Sequence, residues 1–231
     1  MTSPLVTFLI TACRRASKLL MRDYFELEQI QNSPRPTVDF ALQSRKKTEE
    51  LLRKELLKYP NSAVSKVLED KTTATDIHFV IEPLIGIRNL SRAIPFFAVV
   101  VVACKIQDGK IEPVASVVNF PALGEVVYAE KGGGAWRERA IDHGADGTLR
   151  LRVSKVFKTE DVVEIMNIDS SLSCDIYNAY LVAAGKADIC QITSDKDGAI
   201  AIASKILMDE AGGRMLSSGD VIVLSNGLCG R

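Results

Sequence analysis

The residues of this chain best placed to do chemistry lie in the segment 81–89, where a single carboxylate precedes a turn. The segment reads Ile-Glu-Pro-Leu-Ile-Gly-Ile-Arg-Asn and lies between two apolar runs. A carboxylate such as Glu82 is a ligand for hard divalent cations. Gly86 and the amides after it can form a backbone turn that accepts an anion. A simpler interpretation is also open, in which Glu82 and Pro83 only end a strand.

Other patterns are weaker candidates for a site. The glycines at 132–134 are followed by no Walker Lys-Ser/Thr pair, so a structural turn is favoured over a phosphate loop. A calcium loop starting at residue 195 would need a glutamate at position 206, which is Ile206. His78 and His143 are isolated in the sequence, and no nucleophile elbow accompanies either of them.

The elements that must position segment 81–89 follow from hydrophobic periodicity. Apolar residues at helical spacing predict one helix over the first two dozen residues and a second ending near Lys58. Runs of strand length separated by turn signals predict an antiparallel meander at 79–81, 96–104, 114–120 and 125–129. The second half alternates strand and helix, at 162–166, 175–184, 187–192, 199–211 and 221–224.

This order of elements predicts an α/β protein with two subdomains. The first, 1–147, would hold the helices and the antiparallel sheet, and the second, 148–231, would be an α/β unit. The basic residues Arg45, Lys46 and Lys47 lie on the second predicted helix and are interpreted as solvated helix charge.

Composition argues against nucleic-acid binding, a zinc site and membrane association. The chain has 231 residues, with 29 Lys plus Arg and 29 Asp plus Glu, so there is no basic footprint for nucleic acid. Its five cysteines are scattered without a CxxC pair, which makes zinc improbable and indicates a reduced, cytoplasmic protein. The first apolar run is too short to span a bilayer, and its basic pair follows it, so no membrane association is expected.

Segment 81–89 resembles the signature loop of the inositol monophosphatase family, Asp-Pro-[Ile/Leu]-Asp-Gly-Thr-x-Asn. The segment 199–213 is similar to the family's second motif, which ends in Glu-Ala-Gly-Gly, and 124–135, 180–188 and 223–226 resemble further family segments in the same order. The resemblance covers nearly the whole chain. It implies the layered αβαβα sandwich of the inositol monophosphatase and fructose-bisphosphatase superfamily.

Active members of that family hold Mg²⁺ with clustered carboxylates, and the resemblance places several of those positions on residues without an oxygen ligand. The second loop aspartate falls at Ile85 and the aspartate of the second motif at Ile200. The glutamate of Gly-Glu-Glu falls at Val67, or at Glu69 if two residues are inserted. The aspartate of Val-Thr-x-x-Asp falls at Ser44 or Arg45, and the loop threonine falls at Ile87.

What remains of the implied metal site is small. Glu82, the carbonyl of Leu84 and Glu69 would hold at most one weakly bound Mg²⁺, while Gly86 and Ile87 would offer a phosphate contact. The substituted positions Val67, Ile85, Ile87 and Ile200 instead suggest a site converted to packing, so folding is expected to be independent of magnesium.

Three functions stay open. The leading hypothesis is a catalytically degenerate family member that acts as a binding or scaffold protein. The family implies a homodimer, and its extragenic-suppressor branch implies a protein partner in the transcription machinery. The alternative is a Mg²⁺-dependent phosphatase that hydrolyses inositol monophosphate or another small phosphate ester. The third is a cavity that binds an apolar ligand.

Overall fold

The computed structural model describes residues 2–29, 37–67, 75–107, 110–139, 147–165, 174–194 and 196–228. The described residues form five α-helices: α1 (Pro4–Gln29), α2 (Thr37–Leu56), α3 (Ile87–Ser91), α4 (Asp175–Ala183) and α5 (Ala199–Ala211). None of these helices combines the length and the apolarity that crossing a bilayer requires.

The first sheet has seven strands that lie side by side in chain order. They are β1 (Ser62–Ser65), β2 (Ile77–Ile85), β3 (Ala98–Gln107), β4 (Lys110–Phe120), β5 (Glu125–Glu130), β6 (Gly134–Arg139) and β7 (Leu149–Arg150). β1 pairs with β2 in parallel, and each later pair is antiparallel, as the turn signals predicted. The sheet extends past residue 147, because β7 pairs with β6; the division at that residue stays a prediction.

The second sheet has four strands in the order β10-β11-β9-β8. They are β8 (Glu164–Ile165), β9 (Ile189–Thr193), β10 (Arg214–Ser218) and β11 (Val221–Ser225). β8 runs parallel to β9, and the other two pairs are antiparallel. One face of this sheet is buried through Cys190, Ile192, Ile222 and Leu224, which follows from the period of two along each strand.

Two hydrophobic cores hold these layers together. On one face of the first sheet, Val99 and Val101 of β3 pack in a cluster with buried residues of α1 and α2, here called the α1/α2 core. On the other face, Val100 and Val102 pack in a cluster with α4, α5 and the second sheet, here called the α4/α5 core. Both faces of β3 are covered, which agrees with the continuous apolar run at 98–104. The predicted layered α/β sandwich is confirmed.

Candidate functional site

The loop at 81–89 is held in place by two of the residues that match the family signature. Gly86 adopts a left-handed conformation, with φ of 81°, as the chain passes from β2 into α3. A Cβ atom on Gly86 would lie 2.6 Å from the carbonyl oxygen of Phe96. The buried side chain of Asn89 donates a hydrogen bond from Nδ2 to that same oxygen at 2.6 Å. Gly86 and Asn89 therefore fix the turn against the strand that follows, and this role needs no ligand.

The retained carboxylate of the loop, Glu82, is paired with a cation from α2. Arg45 donates to Glu82 Oε1 from Nη2 at 3.0 Å and from Nε at 3.2 Å. The Arg45 and Glu82 side chains are 27% and 24% exposed, so the pair is largely withdrawn from water. The interpretation of Arg45 as solvated helix charge is therefore wrong, because α2 packs on β2 and points this guanidinium at the loop.

The neighbouring residue of α2 points elsewhere. The hydroxyl of Ser44 donates to Asp23 Oδ2 at 2.6 Å, and Asp23 also accepts from Arg22 Nη2 at 2.7 Å. Asp23 and Ser44 are both buried. Of the two positions onto which the family's aspartate could fall, Arg45 reaches Glu82 and Ser44 ties α2 to α1.

Three of the substituted ligand positions are linked through the first turn of α5. Ile85, at the end of β2, is a buried member of the α4/α5 core, and Ile200, in the first turn of α5, packs against that core. The backbone of Val67 pairs with Gly198, which caps the N-terminus of α5. Ile85 and Ile200 thus share one core, and Val67 pairs with the residue that caps the helix of Ile200.

These side chains do not form a single cluster, however. Ile87 packs against the α1/α2 core, on the opposite face of the first sheet from Ile85. Val67 is 39% exposed. Residues two apart in a strand lie on the same face of the sheet. Ile85 and Ile87 lie on opposite faces because the left-handed turn at Gly86 comes between them.

Comparison with known proteins agrees with this architecture. The model of the inositol monophosphatase family matches residues 1–220. The chain belongs to this family.

Relatives within the family differ in their names. An inositol-1-monophosphatase of Rhizobium meliloti (strain 1021) is 32% identical over 151 residues, which are 64% of this chain and 55% of that protein. The match therefore spans about half the length of that relative. A Nus factor SuhB of Salmonella typhimurium (strain 14028s / SGSC 2262) is 26% identical over 228 residues, covering 91% of this chain and 84% of that protein.

A solved structure supports the family's fold. The extragenic suppressor protein suhB from Bartonella henselae superposes with a TM-score of 0.74 at 24% sequence identity. The superposition covers 98% of this chain and 95% of that one. At this identity the likeness shows the fold alone.

The described residues at the inositol monophosphatase family's metal position do not fit a hard divalent cation. Mg²⁺ requires near-octahedral oxygen coordination, and neither Ile85 nor Ile200 carries a side-chain oxygen. Glu82 Oε1 is already engaged by Arg45 and also lies 3.4 Å from the amide nitrogen of Leu84. Within the described ranges no group of three or more His, Cys, Asp or Glu side chains is arranged to hold a metal ion. Glu69 lies outside the described residues.

A second carboxylate beside this position is also held by cations. Glu49 of α2 contacts Arg53 Nη2 at 3.1 Å and Lys66 Nζ at 2.8 Å. Burial by itself would raise the pKa of Glu49, but the hydrogen bonds and charges of Lys66 and Arg53 lower that pKa below its ordinary value. Arg53 also donates from Nη1 to the carbonyl oxygen of Val64 at 2.8 Å, which ties α2 to β1.

One hydroxyl–imidazole pair was missed by sequence reasoning, which treated His78 as isolated. Ser65 Oγ lies 2.7 Å from His78 Nε2 and 2.6 Å from the carbonyl oxygen of Val67. A serine hydroxyl has one proton, and the carbonyl can only accept. Ser65 therefore donates to Val67 and accepts from His78 Nε2, which is the reverse of the arrangement that activates a serine nucleophile.

Proposed function

We propose that this member of the inositol monophosphatase family acts by binding and does not hydrolyse phosphate esters with Mg²⁺. The observation that carries the proposal is the pair between Arg45 and Glu82. In a metal-dependent site a carboxylate at this place would ligate a cation that activates water or stabilises the leaving oxygen. Here the carboxylate is paired with a guanidinium, which holds no water to activate as a nucleophile.

The packing of Ile85 supports the same proposal. A carboxylate at that position would be a buried charge in the α4/α5 core, and it would be unfavourable unless a metal ion neutralised it. An isoleucine there contributes about 1.5–3 kcal/mol by burial and needs no ion. Together, the packing of Ile85 and the Arg45–Glu82 pair support a fold that does not depend on magnesium.

The test is a turnover assay with inositol monophosphate and Mg²⁺, with and without lithium. We expect no hydrolysis above the no-enzyme rate in the unmodified chain. Magnesium-dependent, lithium-sensitive hydrolysis that the Glu82→Gln variant abolishes would overturn the proposal. The Glu112→Gln variant, which changes an exposed carboxylate of β4 paired with Lys131, is the control, because activity from a contaminating phosphatase would persist in both variants.

The alternative function is favoured by similarity to relatives named inositol-1-monophosphatase, among them that of Rhizobium meliloti. Under this alternative the chain is a phosphatase acting on inositol monophosphate or another small phosphate ester. Glu82, Leu84 and Glu69 would be its metal ligands, and Gly86 and Ile87 its phosphate contact. The turnover assay above separates the two functions.

A protein partner belongs to the same proposal. Several relatives of this chain are named Nus factors, and the family's extragenic-suppressor branch is associated with transcription complexes. We propose a homodimer that docks on the transcription machinery. Light scattering of the purified chain tests the homodimer, and a monomeric mass would contradict it. Binding of purified RNA polymerase to the immobilised chain tests the partner, and the absence of binding would contradict that part of the proposal.

The apolar-ligand hypothesis gains no support from the described cavities. Three cavities lined by described residues have volumes of about 560, 460 and 260 Å³, and neither Ile85 nor Ile200 lines any of the three. Ile85 instead packs in the α4/α5 core.

A further inference from the structure

The largest of the three described cavities lies between α1 and the strands β4, β5 and β6. This α1 cavity has a volume of about 560 Å³, within the size range of sites for small ligands. Each of the three strands contributes one lining residue: Asn119, Val126 and Glu138. Asn119 pairs with Val126, and Val126 pairs with Glu138, so the three form one row across the sheet. No residue of the loop at 81–89 lines the cavity.

The side-chain amide of Asn119 is oriented by a hydroxyl of α1. Ser17 Oγ donates its one proton to the carbonyl oxygen of Cys13 at 2.7 Å. Ser17 therefore accepts from Asn119, whose Nδ2 lies 2.7 Å away. Ser17 and Asn119 are only 2% and 4% exposed. Asn119 Oδ1 has no hydrogen-bond partner among the residues that the structure describes, so it remains an acceptor for a donor inside the cavity.

The cavity also holds an ammonium group that no carboxylate engages. Lys18 follows Ser17 on α1, is exposed, and forms no ion pair or hydrogen bond within the described part of the chain. Arg14, one turn earlier, is paired with Glu138 through Nη2 and Oε1 at 2.6 Å. The formal charge of the lining is therefore +1, from two cations and one carboxylate. A ligand with a single negative charge would balance it.

The remaining wall of the cavity is largely apolar. Met21 of α1, Pro121 and the buried Val126 supply this surface, and a methionine side chain adapts to irregular shapes. A ligand that matches the α1 cavity thus combines one negative charge for Lys18, an N–H or O–H donor for Asn119 Oδ1, and an apolar body.

We infer that the α1 cavity binds a small carboxylic acid that carries an amino or hydroxyl group beside the carboxylate and has an apolar side chain. An α-amino acid and an α-hydroxy acid share this chemistry. A phosphate group matches the lining poorly, because it carries up to two charges against one unpaired cation and has no donor for Asn119 Oδ1. The inference goes beyond the proposed function and does not depend on the Arg45–Glu82 pair.

The test is calorimetric titration of the full chain with L-leucine, leucic acid and isocaproic acid. Leucic acid is the α-hydroxy analogue of leucine, and isocaproic acid has the same carboxylate and apolar body without the donor. We expect saturable binding of leucine or leucic acid, and binding of isocaproic acid that is about fivefold weaker, the scale of one hydrogen bond. Tighter binding of leucine identifies an amino acid ligand, and tighter binding of leucic acid identifies a hydroxy acid.

Two lysine variants test the carboxylate contact. Lys18→Gln should weaken the affinity by about threefold, the scale of one exposed charge contact. Lys47→Gln is the matched control, because Lys47 of α2 is also exposed and does not line the α1 cavity. Weakening in Lys18→Gln alone supports the inference, and equal weakening in both variants overturns it.

An Asn119→Ala variant tests the donor contact. It should bind isocaproic acid as well as the tighter of the two donor-bearing acids, because the acceptor that distinguishes them is gone. A preference that persists in a folded Asn119→Ala chain overturns the inference. If the loss of the Ser17 contact unfolds this variant, the comparison of ligands in the unmodified chain decides. Absence of saturable binding of both leucine and leucic acid, or equal affinity for isocaproic acid, overturns the inference there.

Discussion

The guanidinium of Arg45 reaches Glu82 Oε1 through two nitrogens, at 3.0 and 3.2 Å. The two residues are 37 positions apart in the sequence, and the packing of α2 on β2 brings them together. The pair thus gives the loop carboxylate a positive counter-charge from within the chain.

The first prediction concerns the strength of this pair. In a double-mutant cycle with Arg45→Gln and Glu82→Gln, we expect a coupling free energy of about 1–2 kcal/mol, because both side chains are largely shielded from water. The control cycle uses Arg14 and Glu138, an ion pair whose side chains are 47% and 35% exposed. Its coupling should lie below about 0.5 kcal/mol. Urea unfolding measures both, and equal coupling in the two cycles would contradict the prediction.

The second prediction concerns Ile85. Replacing it with aspartate places a carboxylate in the α4/α5 core, and we expect a loss of roughly 3 kcal/mol or more in the free energy of unfolding. Ile85→Val, which keeps the position apolar, should cost about 0.5–1.5 kcal/mol. Mg²⁺ should not restore the stability of Ile85→Asp. A variant that regains wild-type stability when magnesium is added would show that a metal position persists there.

The third prediction separates two left-handed glycines. Gly86 and Gly124 have φ angles of 81° and 63°, but only at Gly86 would a new Cβ meet an atom, the Phe96 carbonyl oxygen at 2.6 Å. Gly124→Ala should cost about 1 kcal/mol for the backbone conformation. Gly86→Ala should cost at least about 1 kcal/mol more, because the loop must also move away from Phe96. Similar melting temperatures for the two variants would argue against this account of the turn.

The fourth prediction concerns acid stability. Arg53 and Lys66 lower the pKa of Glu49 despite its burial. A carboxylate whose folded pKa is lowered contributes stability above its unfolded pKa and loses it as the pH falls through the folded value. The Glu49→Gln variant should therefore show a smaller loss of unfolding free energy between about pH 5 and pH 3 than the unmodified chain. Parallel curves for the two proteins would contradict the assigned role of Glu49.

Much of the fold could be predicted from the sequence, because long periodic elements carry their own signal. The predicted bounds of α5 agree with those in the structure, Ala199–Ala211, because its periodic apolar pattern ends at the C-capping Gly212. α3 was missed because it has five residues and is set by the turn at Gly86 rather than by periodicity. β1 was missed as well: it is four half-buried residues with no alternating pattern.

The candidate site was less predictable for a different physical reason. The substitutions at Ile85 and Ile200 are visible in the sequence, but the partner of Glu82 is not, because a charge run on a helix surface usually points into water. Arg45 turns inward while Lys46 and Lys47 stay exposed because of the way α2 packs on β2. Tertiary contacts between distant segments carry no local signature.

Calorimetric titration of the unmodified chain with Mg²⁺ tests the central claim most directly, since it asks whether Arg45 has replaced the metal as the counter-charge of Glu82. The account predicts no saturable heat up to millimolar concentrations of magnesium, and the same flat titration for Glu82→Gln. Saturable binding of Mg²⁺ that disappears in Glu82→Gln would contradict it.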